Sequence, residues 1–215
     1  MLPVTSRGTP HNVSVGIQLL DLPLVSVFIP SFLATIESDY DYRLYIGYDY
    51  GDMWYDNDTN WDKLLSFITT RITDSSHLRL NVSVRPILLF GVEQRITPIW
   101  NTLATAAYKD MCDYFYPAND DILIRTKGWT SAAIRTLKTC VVASNFGIVT
   151  FKDLNNCVMP TFHLVHRTHL DLHEGIYYPL PTHGDGQDPW IFGVYRPWKC
   201  AFFIEHYELK NRVVI

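Results

Sequence analysis

The sequence predicts a single-domain α/β sandwich with a mostly parallel central sheet. Short runs of β-branched and aromatic residues alternate with segments of helical periodicity, as expected of βαβ units. The chain has 215 residues, enough for one full-sized domain. Hydrophobic residues make up 47% of it and charged residues 19%, which excludes a disordered, fibrous or coiled-coil protein.

Three apolar runs in the first half predict strands. They are LVSVFIP at residues 24–30, YRLYIGYD at 42–49 and LRLNVSVRPILL at 78–89. Between the first two, PSFLATIES predicts a short helix that begins at Ser31. The polar residues before them predict an arm over residues 1–22, followed by the folded domain over residues 23–215.

The second half continues the alternation of helices and strands. Helices are predicted for RITPIWNTLATAAYKD at 95–110, TKGWTSAAIRTLKT at 126–139 and DPWIFGVYRP at 188–197. Strands are predicted for CDYFYPANDDILI at 112–124, FGIVTF at 146–151 and CAFFIEHYEL at 200–209.

Charge and cysteine usage narrow the possible partners and compartment. The net charge of −4 argues against a nucleic-acid binder that relies on phosphate neutralisation. The four cysteines are far apart in sequence, which predicts buried free thiols. The longest uncharged apolar run, residues 22–36, is interrupted by Pro23 and Pro30, so no membrane span is predicted. With no recognisable signal peptide either, the sequence predicts a cytoplasmic protein.

Acidic residues at predicted strand ends are the first candidates for a ligand site, because parallel sheets bind ligands outside the carboxyl ends of their strands. Asp49 ends the second predicted strand, and the fourth contains the acidic tripeptide Asn119, Asp120 and Asp121. Adjacent carboxylates are the hard oxygen ligands that suit Mg²⁺ or Mn²⁺. The alternative for this tripeptide is an Asx cluster in a turn or a helix cap. The acidic segment GDMWYDNDTNWD at 51–62 is interpreted as a solvated loop.

These motifs, taken in order, resemble a known family. The run NTLATAAYKDMCDYFYPANDD at 101–121 resembles the core of GT-A glycosyltransferases, where a helix carrying Asn leads to the metal-binding DXD motif. FIPSF, IGYDYGD, ITPIWN, NDDILIRTKGW, NFGIVTFKD, VHRTHLDLHEGIYYP and DPWIFGVY are similar in order and spacing to a glycosyltransferase-like family of microalgae and large DNA viruses. The resemblance covers residues 25–195 and implies a GT-A, Rossmann-like α/β/α sandwich.

The resemblance implies a donor site for a nucleotide sugar, a UDP- or GDP-sugar. Residues 28–31, Pro30 among them, would hold the base, and Asp49 would accept a hydrogen bond from base or ribose. Asn101 matches the helix position that helps to orient the donor. Arg167 and His169 match residues that would contact a diphosphate or a sugar hydroxyl.

The tripeptide matches the DXD motif with one departure. Asp121 matches the acid that binds Mn²⁺ or Mg²⁺ directly, and Asp120 would contact ribose, sugar or a metal-bound water. Asn119 replaces the first acid of the motif by a neutral amide. That departure puts the strength of metal binding in question.

Asp188 matches the general base of inverting enzymes in the same family. A carboxylate is needed there because the acceptor hydroxyl must lose its proton as it attacks the anomeric carbon. Asp185 is the second candidate for this base. Alternatively Asp188 is a helix N-cap followed by Pro189 at the first helical position, and both roles are compatible.

Histidines and tryptophans have structural alternatives. A zinc site among His163, His166, His169 and His173 is disfavoured because only His169 and His173 have helical i, i+4 spacing. His206 is a candidate third metal ligand or simply a surface histidine. Trp129 and Trp190 would stack on a sugar or pack in the core.

The resemblance therefore implies a metal-dependent glycosyltransferase, a hexosyltransferase, acting on a glycan or protein acceptor. The alternative is a non-catalytic module on the same fold that binds nucleotide sugars or carbohydrate. A nucleotidyltransferase is ranked last because FIPSFLATIES lacks the glycine and the basic residue expected after a first strand.

Overall fold

The computed structural model describes residues 1–6, 16–74, 80–92, 95–156, 161–179 and 186–211. These residues form a mixed α/β structure. The strands are β1 (Leu2–Val4), β2 (Asp41–Asp49), β3 (Asn81–Leu89), β4 (Tyr114–Phe115), β5 (Ile122–Ile124), β6 (Ile148–Asp153), β7 (His163–His166) and β8 (Ala201–Asn211). The α-helices are α1 (Ile29–Thr35), α2 (Asp58–Asp74), α3 (Ile96–Lys109), α4 (Trp129–Lys138), α5 (Thr168–Leu172) and α6 (Gln187–Tyr195).

A parallel sheet in the order β1-β2-β3 forms one half of the described fold. The side chains of Leu44, Tyr45 and Ile46 in β2 are all buried, which explains the nearly continuous apolar run in the sequence. Leu44 and Ile46 pack with α1 and α2, whereas Tyr45 packs with α3 on the opposite face. The predictions of β2 and β3 are confirmed.

The second sheet is mixed, in the order β4-β7-β6-β8-β5 among the described strands. β6 and β8 are parallel, whereas the pairs β4–β7, β7–β6 and β5–β8 are antiparallel. The prediction of a mostly parallel central sheet is therefore wrong for this half. Residues 154–162, which join β6 to β7, are too few for the helical crossover that a parallel pair needs.

The first predicted strand is wrong, because residues 24–30 are helical. A π-helix over Leu24–Phe28 leads directly into α1, with Pro30 in the first turn. The apolar side chains of this segment are buried, so its composition is that of a buried strand, and periodicity cannot separate the two over so short a run. Proline fits a first helical turn, whereas in a central strand it would remove a ladder hydrogen bond.

Residues 2–4, predicted to lie in an arm, form strand β1 instead, which pairs with β2. The other side of β1 meets the segment between β4 and β5. The Met1 nitrogen donates to the Tyr116 carbonyl at 3.0 Å, and the Ala118 nitrogen donates to the Met1 carbonyl at 3.0 Å. This pair of bonds is the parallel pattern, so residues 116–118 run alongside β1. Three residues were too few for a strand signal in the sequence.

A disulfide bond joins Cys140, just after α4, to Cys200, just before β8. The prediction of free thiols is wrong for these two cysteines, whose proximity depends on the packing of α4 against the second sheet. Cys112 is a half-buried free thiol, and Cys157 lies outside the described residues. Disulfide bonds are typical of oxidising compartments, whereas the sequence predicts a cytoplasmic protein. No helix in the described ranges is long and apolar enough to cross a membrane.

We expect the disulfide to contribute substantially to stability. It closes a loop over a sequence separation of 60 residues, for which loop-closure entropy corresponds to about 4 kcal/mol. The double variant Cys140→Ser and Cys200→Ser should lower the free energy of urea unfolding by about that amount. Cys112→Ser is the control and should unfold close to the parent. A non-reducing digest without a peptide linking Cys140 to Cys200 would contradict the bond.

Candidate functional site

The carboxyl ends of β1, β2 and β3 meet at one edge of the parallel sheet, here called the carboxyl edge. Asp52, which lies just after β2, forms hydrogen bonds with the residues that follow β1. Its Oδ2 accepts hydrogen bonds from the Ser6 nitrogen at 2.8 Å and the Thr5 hydroxyl at 3.3 Å, just beyond β1. Its Oδ1 accepts from the backbone nitrogens of Trp54 at 3.0 Å and Tyr55 at 2.8 Å. The loop that follows β2 is therefore built around a carboxylate.

The interpretation of residues 51–62 as a solvated loop is only partly right. Trp54 is 4% exposed and Tyr55 is fully buried, so the aromatic residues of the loop belong to the core. Asp56 stabilises the turn by accepting a hydrogen bond from the Gly51 nitrogen at 2.8 Å. The sequence signal for this arrangement was the mixture of aromatic and acidic residues, since a purely solvated loop needs no aromatic side chains.

The acidic tripeptide lies in a turn that leads into β5, rather than at the end of one continuous strand. Asp120 and Asp121 are each 4% exposed. Because residues 116–118 run parallel to β1, the tripeptide follows an extended segment that points toward the carboxyl edge. The turn is closed by the Ile122 nitrogen, which donates to the Asn119 carbonyl at 3.4 Å.

The tripeptide offers two carboxylates, within the number of acidic side chains expected of a Mg²⁺ or Mn²⁺ site. In the part of the chain that the structure describes, no group of three or more His, Cys, Asp or Glu side chains is arranged around a possible metal position. Mg²⁺ is commonly bound by one or two carboxylates, with the remaining ligands from water and substrate phosphates. Asp120 and Asp121 provide that number of acids. His206, the other predicted ligand, is exposed on β8.

Asp188 lies in the first turn of α6 and is partly buried. Burial raises the pKa of its carboxyl from 3.8 to about 6. Burial is the main cause of the raised pKa values of Tyr177 and Tyr178, and the nearby charge of Asp188 raises them further. The N-cap of α6 is Gly186, so the prediction that Asp188 itself is the N-cap is wrong. Its burial and its raised pKa are therefore not explained by capping.

A hydrogen bond between two helices positions Asp188. The Gln187 amide donates to the Thr97 hydroxyl at 2.8 Å, and both side chains are buried. Thr97 is in the first turn of α3, which begins shortly after β3 ends. The starts of α3 and α6 therefore both lie toward the carboxyl edge. Gln187 and Thr97 were not predicted as site residues, because no spacing rule links residues so far apart in sequence.

Asn101 holds the loop that precedes α6. Its Oδ1 accepts from the backbone nitrogens of Tyr177 at 3.1 Å and Tyr178 at 2.8 Å, and its Nδ2 donates to the Tyr178 carbonyl at 2.9 Å. An amide suits this position because it both donates and accepts. The predicted role of Asn101 in orienting a donor is untested, but its side chain is committed to positioning these two tyrosines.

We expect Asn101→Ala to lower the free energy of unfolding by about 2–4 kcal/mol, since it leaves backbone groups of Tyr177 and Tyr178 without their partner. Urea denaturation measures this. Thr102→Ala is the matched control on the same helix, because its hydroxyl donates only to the Pro98 carbonyl within α3. Equal unfolding midpoints for the two variants would contradict the role assigned to Asn101.

Two buried histidines surround the same tyrosines. His169 is 2% exposed, with Nδ1 2.7 Å from the Tyr195 hydroxyl and Nε2 2.9 Å from the Tyr177 carbonyl. Burial lowers its pKa to about 4, so it is neutral at pH 7. Nε2 of His163 lies 3.1 Å from the Tyr177 hydroxyl and 3.3 Å from that of Tyr178. Both ring nitrogens of His169 are used within the protein, which leaves its predicted contact with a donor without geometric support.

Arg167 lies at the opposite edge of the sheet. Its guanidinium stacks over the Tyr108 ring at 4.6 Å and lies 4.0 Å from the Met111 sulfur. Met111 adjoins Asp110, whose carbonyl accepts from Arg43 near the start of β2 at 2.6 Å. Arg43 and Asp49 are separated by six residues of extended strand, or about 20 Å. The structure thus does not bring Arg167 to the carboxyl edge.

The remaining predicted residues are placed as follows. Pro30 is exposed on α1, so the prediction that it ends a strand is wrong. Trp129 is 5% exposed and packs between Tyr116 and Phe151. Trp190 is half-buried against His173 and Tyr178. Asp185 lies outside the described residues.

A cavity of about 580 Å³ opens near the amino end of β2, where it is lined by residues that include Arg43, Tyr45, Cys112 and Trp129. Asp49, Asp121 and Asp188 do not line it. Because these predicted acids do not line the cavity, the candidate site considered below is the carboxyl edge. Comparison of the chain with protein-family models finds no match, and neither does a search of curated proteins.

Proposed function

We propose that this chain is a GT-A glycosyltransferase that moves a sugar from a UDP- or GDP-sugar to an acceptor hydroxyl. The observation that carries the proposal is Asp188: a partly buried carboxyl with a pKa of about 6, held at the carboxyl edge of a parallel sheet. A base poised near the working pH is what proton removal from an acceptor requires. The resemblance of the ordered motifs to the glycosyltransferase-like family supports the same assignment.

In the proposed reaction Asp188 accepts the proton of the acceptor hydroxyl as that oxygen forms a bond to the anomeric carbon. The bond between that carbon and the phosphate oxygen breaks, and its electron pair leaves with the nucleoside diphosphate. Attack from the face opposite the leaving group inverts the anomeric centre. Mn²⁺ or Mg²⁺, held by Asp121 with Asp120 beside it, would stabilise the charge of the diphosphate. Asp49 would orient the donor through its base or ribose.

A panel of UDP- and GDP-sugars with Mn²⁺ or Mg²⁺ tests the proposal by the release of nucleoside diphosphate. We expect slow donor hydrolysis without acceptor, and loss of this turnover in Asp121→Asn. Donor binding without turnover under either metal would overturn the proposal in favour of a nucleotide-sugar-binding module. Absence of both binding and turnover would overturn both.

A further inference from the structure

Two exposed aromatic residues, Tyr50 and Phe90, lie side by side at the carboxyl edge, and we call this pair the aromatic platform. Tyr50 directly follows β2 and is 68% exposed, and Phe90 directly follows β3 and is 66% exposed. Their ring centroids are 5.3 Å apart and the ring planes differ by 28°, so the rings stack on each other. The pair was not predicted as a site from the sequence.

The strand register produces the platform. Asp49 pairs with Leu89 at the end of the ladder, and the Tyr50 nitrogen extends it by donating to the Leu89 carbonyl at 2.9 Å. After Tyr50 and after Phe90 the backbone turns at a glycine of positive φ, Gly51 at 81° and Gly91 at 65°. Among the described residues, no atom would lie within 4 Å of a Cβ added at either glycine, so these residues leave the space beside the platform open. The sequence signal is an aromatic residue followed by glycine at the ends of two paired strands.

The loop that follows β2 is able to bury aromatic side chains, so the exposure of Tyr50 is not imposed by a lack of space in the core. The same loop buries Trp54 and Tyr55 completely or nearly so, while Met53 beside them is 53% exposed. Contiguous exposed aromatic rings are a common feature of binding surfaces, because leaving two rings in water forgoes the free energy of burying them.

The charges around the platform indicate the kind of ligand. Residues 51–62, which follow Tyr50, contain four aspartates and no basic residue. On the Phe90 side, Arg95 carries one positive charge, and its guanidinium donates to the carbonyls of Gly91 at 2.6 Å and Val92 at 3.2 Å. The four aspartates outnumber this one positive charge, so the surface disfavours free anions, whereas carboxylates accept hydrogen bonds from neutral hydroxyl groups.

We propose that the aromatic platform binds a pyranose ring of a neutral glycan, which is the acceptor of the transfer reaction. The role of the glycan as an acceptor rests on the proposed function, whereas glycan binding at the platform does not depend on it. The apolar C–H face of a pyranose would stack on Tyr50 or Phe90, and its hydroxyls would face the acidic loop. A nucleotide phosphate whose charge no metal ion neutralises is less suited to this surface.

Saturation-transfer NMR with four neutral tetrasaccharides tests the proposal: cellotetraose, maltotetraose, chitotetraose and mannotetraose. We expect transfer to the ring C–H protons of at least one of them, and about tenfold weaker binding in the double variant Tyr50→Ala and Phe90→Ala. Tyr50→Phe keeps the ring and should bind as the parent does. Phe203→Ala, which removes a ring 51% exposed on β8, is the matched control.

The outcomes separate the platform from the proposed function. Unchanged glycan binding in the double variant, or no binding of any of the four by the parent, overturns the platform. So does loss of UMP or GMP binding in the double variant with glycan binding intact, which would assign the rings to the donor base. A larger sedimentation mass for the parent than for the variant would assign them to a second copy. Glycan binding that needs the rings, in a parent without donor turnover, supports the platform and overturns only the enzyme.

Discussion

Asp188→Asn is expected to lower kcat for sugar transfer by about 100- to 10 000-fold, the contribution typical of a general base. The amide of asparagine cannot accept the proton of the acceptor hydroxyl. The donor contacts are not altered, so the dissociation constant of the donor should stay within about twofold of the parent. Initial rates and donor titrations on the same preparation measure both quantities.

The pKa of Asp188 gives the pH dependence a sign. The carboxyl must be ionised to act as a base, so kcat of the parent should rise as pH increases through about 6 and reach a plateau above it. The folded pKa exceeds the ordinary value of 3.8. The cost of burying the charge is therefore absent below about pH 4 and is fully present above about pH 6. Stability should fall as the pH rises through this window.

The same argument predicts that Asp188→Asn stabilises the protein while inactivating it. Removing the buried charge should raise the free energy of unfolding at pH 7 by as much as about 3 kcal/mol, and by almost nothing at pH 4. Asp62→Asn, at an exposed acid on α2, is the control and should change neither activity nor the pH dependence of stability. Full transfer activity in Asp188→Asn would exclude the carboxyl as the base.

Gly147→Ala is expected to prevent stable folding. Gly147 has a φ of 134°, and a Cβ at this position would lie 2.2 Å from the Cys200 carbonyl oxygen. That oxygen also accepts the Ile148 nitrogen at 2.9 Å, where β6 begins to pair with β8. The clash is with backbone and cannot be relieved by a rotamer change, so we expect a loss above about 4 kcal/mol. Circular dichroism and urea unfolding measure it.

Gly193→Ala is the matched control for this substitution. Gly193 lies within α6, and in the part of the chain that the structure describes no atom would lie within 4 Å of an added Cβ. Alanine should therefore leave the protein as stable as the parent or raise its stability by about 0.5–1 kcal/mol, from the higher helix propensity. Similar unfolding midpoints for Gly147→Ala and Gly193→Ala would show that the close approach of residue 147 to Cys200 is wrong.

Long periodic segments were predictable because their patterns admit one interpretation. The helical spacing at residues 95–110 predicted α3, and the alternation that ends at Leu89 predicted β3. The apolar run that ends at Asp49 was assigned correctly to β2, although it has no such periodicity. Residues 24–30 were misassigned because a short, fully apolar run is equally typical of a strand and of a helix buried on all sides. Strand β1 was missed because its three residues carry almost no periodic signal.

The candidate site was predictable only in part. Asp49 and Asp188 could be singled out as acids at the ends of predicted elements, and both lie toward the carboxyl edge. Arg167 was predicted for the same site, yet it stacks on Tyr108 at the opposite edge. Sequence order cannot distinguish these cases, because the edge at which a residue emerges depends on the direction of its strand.

By itself the sequence determined that the fold contains both helices and strands, most of these regular elements, and the acidic residues at strand ends. The tertiary structure decided the mixed second sheet, the bond between Cys140 and Cys200, and the contact of Gln187 with Thr97 that brings Asp188 to the carboxyl edge. It also paired Tyr50 with Phe90. The physical reason is that a local pattern records whether a side chain is buried. Which distant residue it meets depends on strand register and helix packing, which arise only when the whole chain has folded.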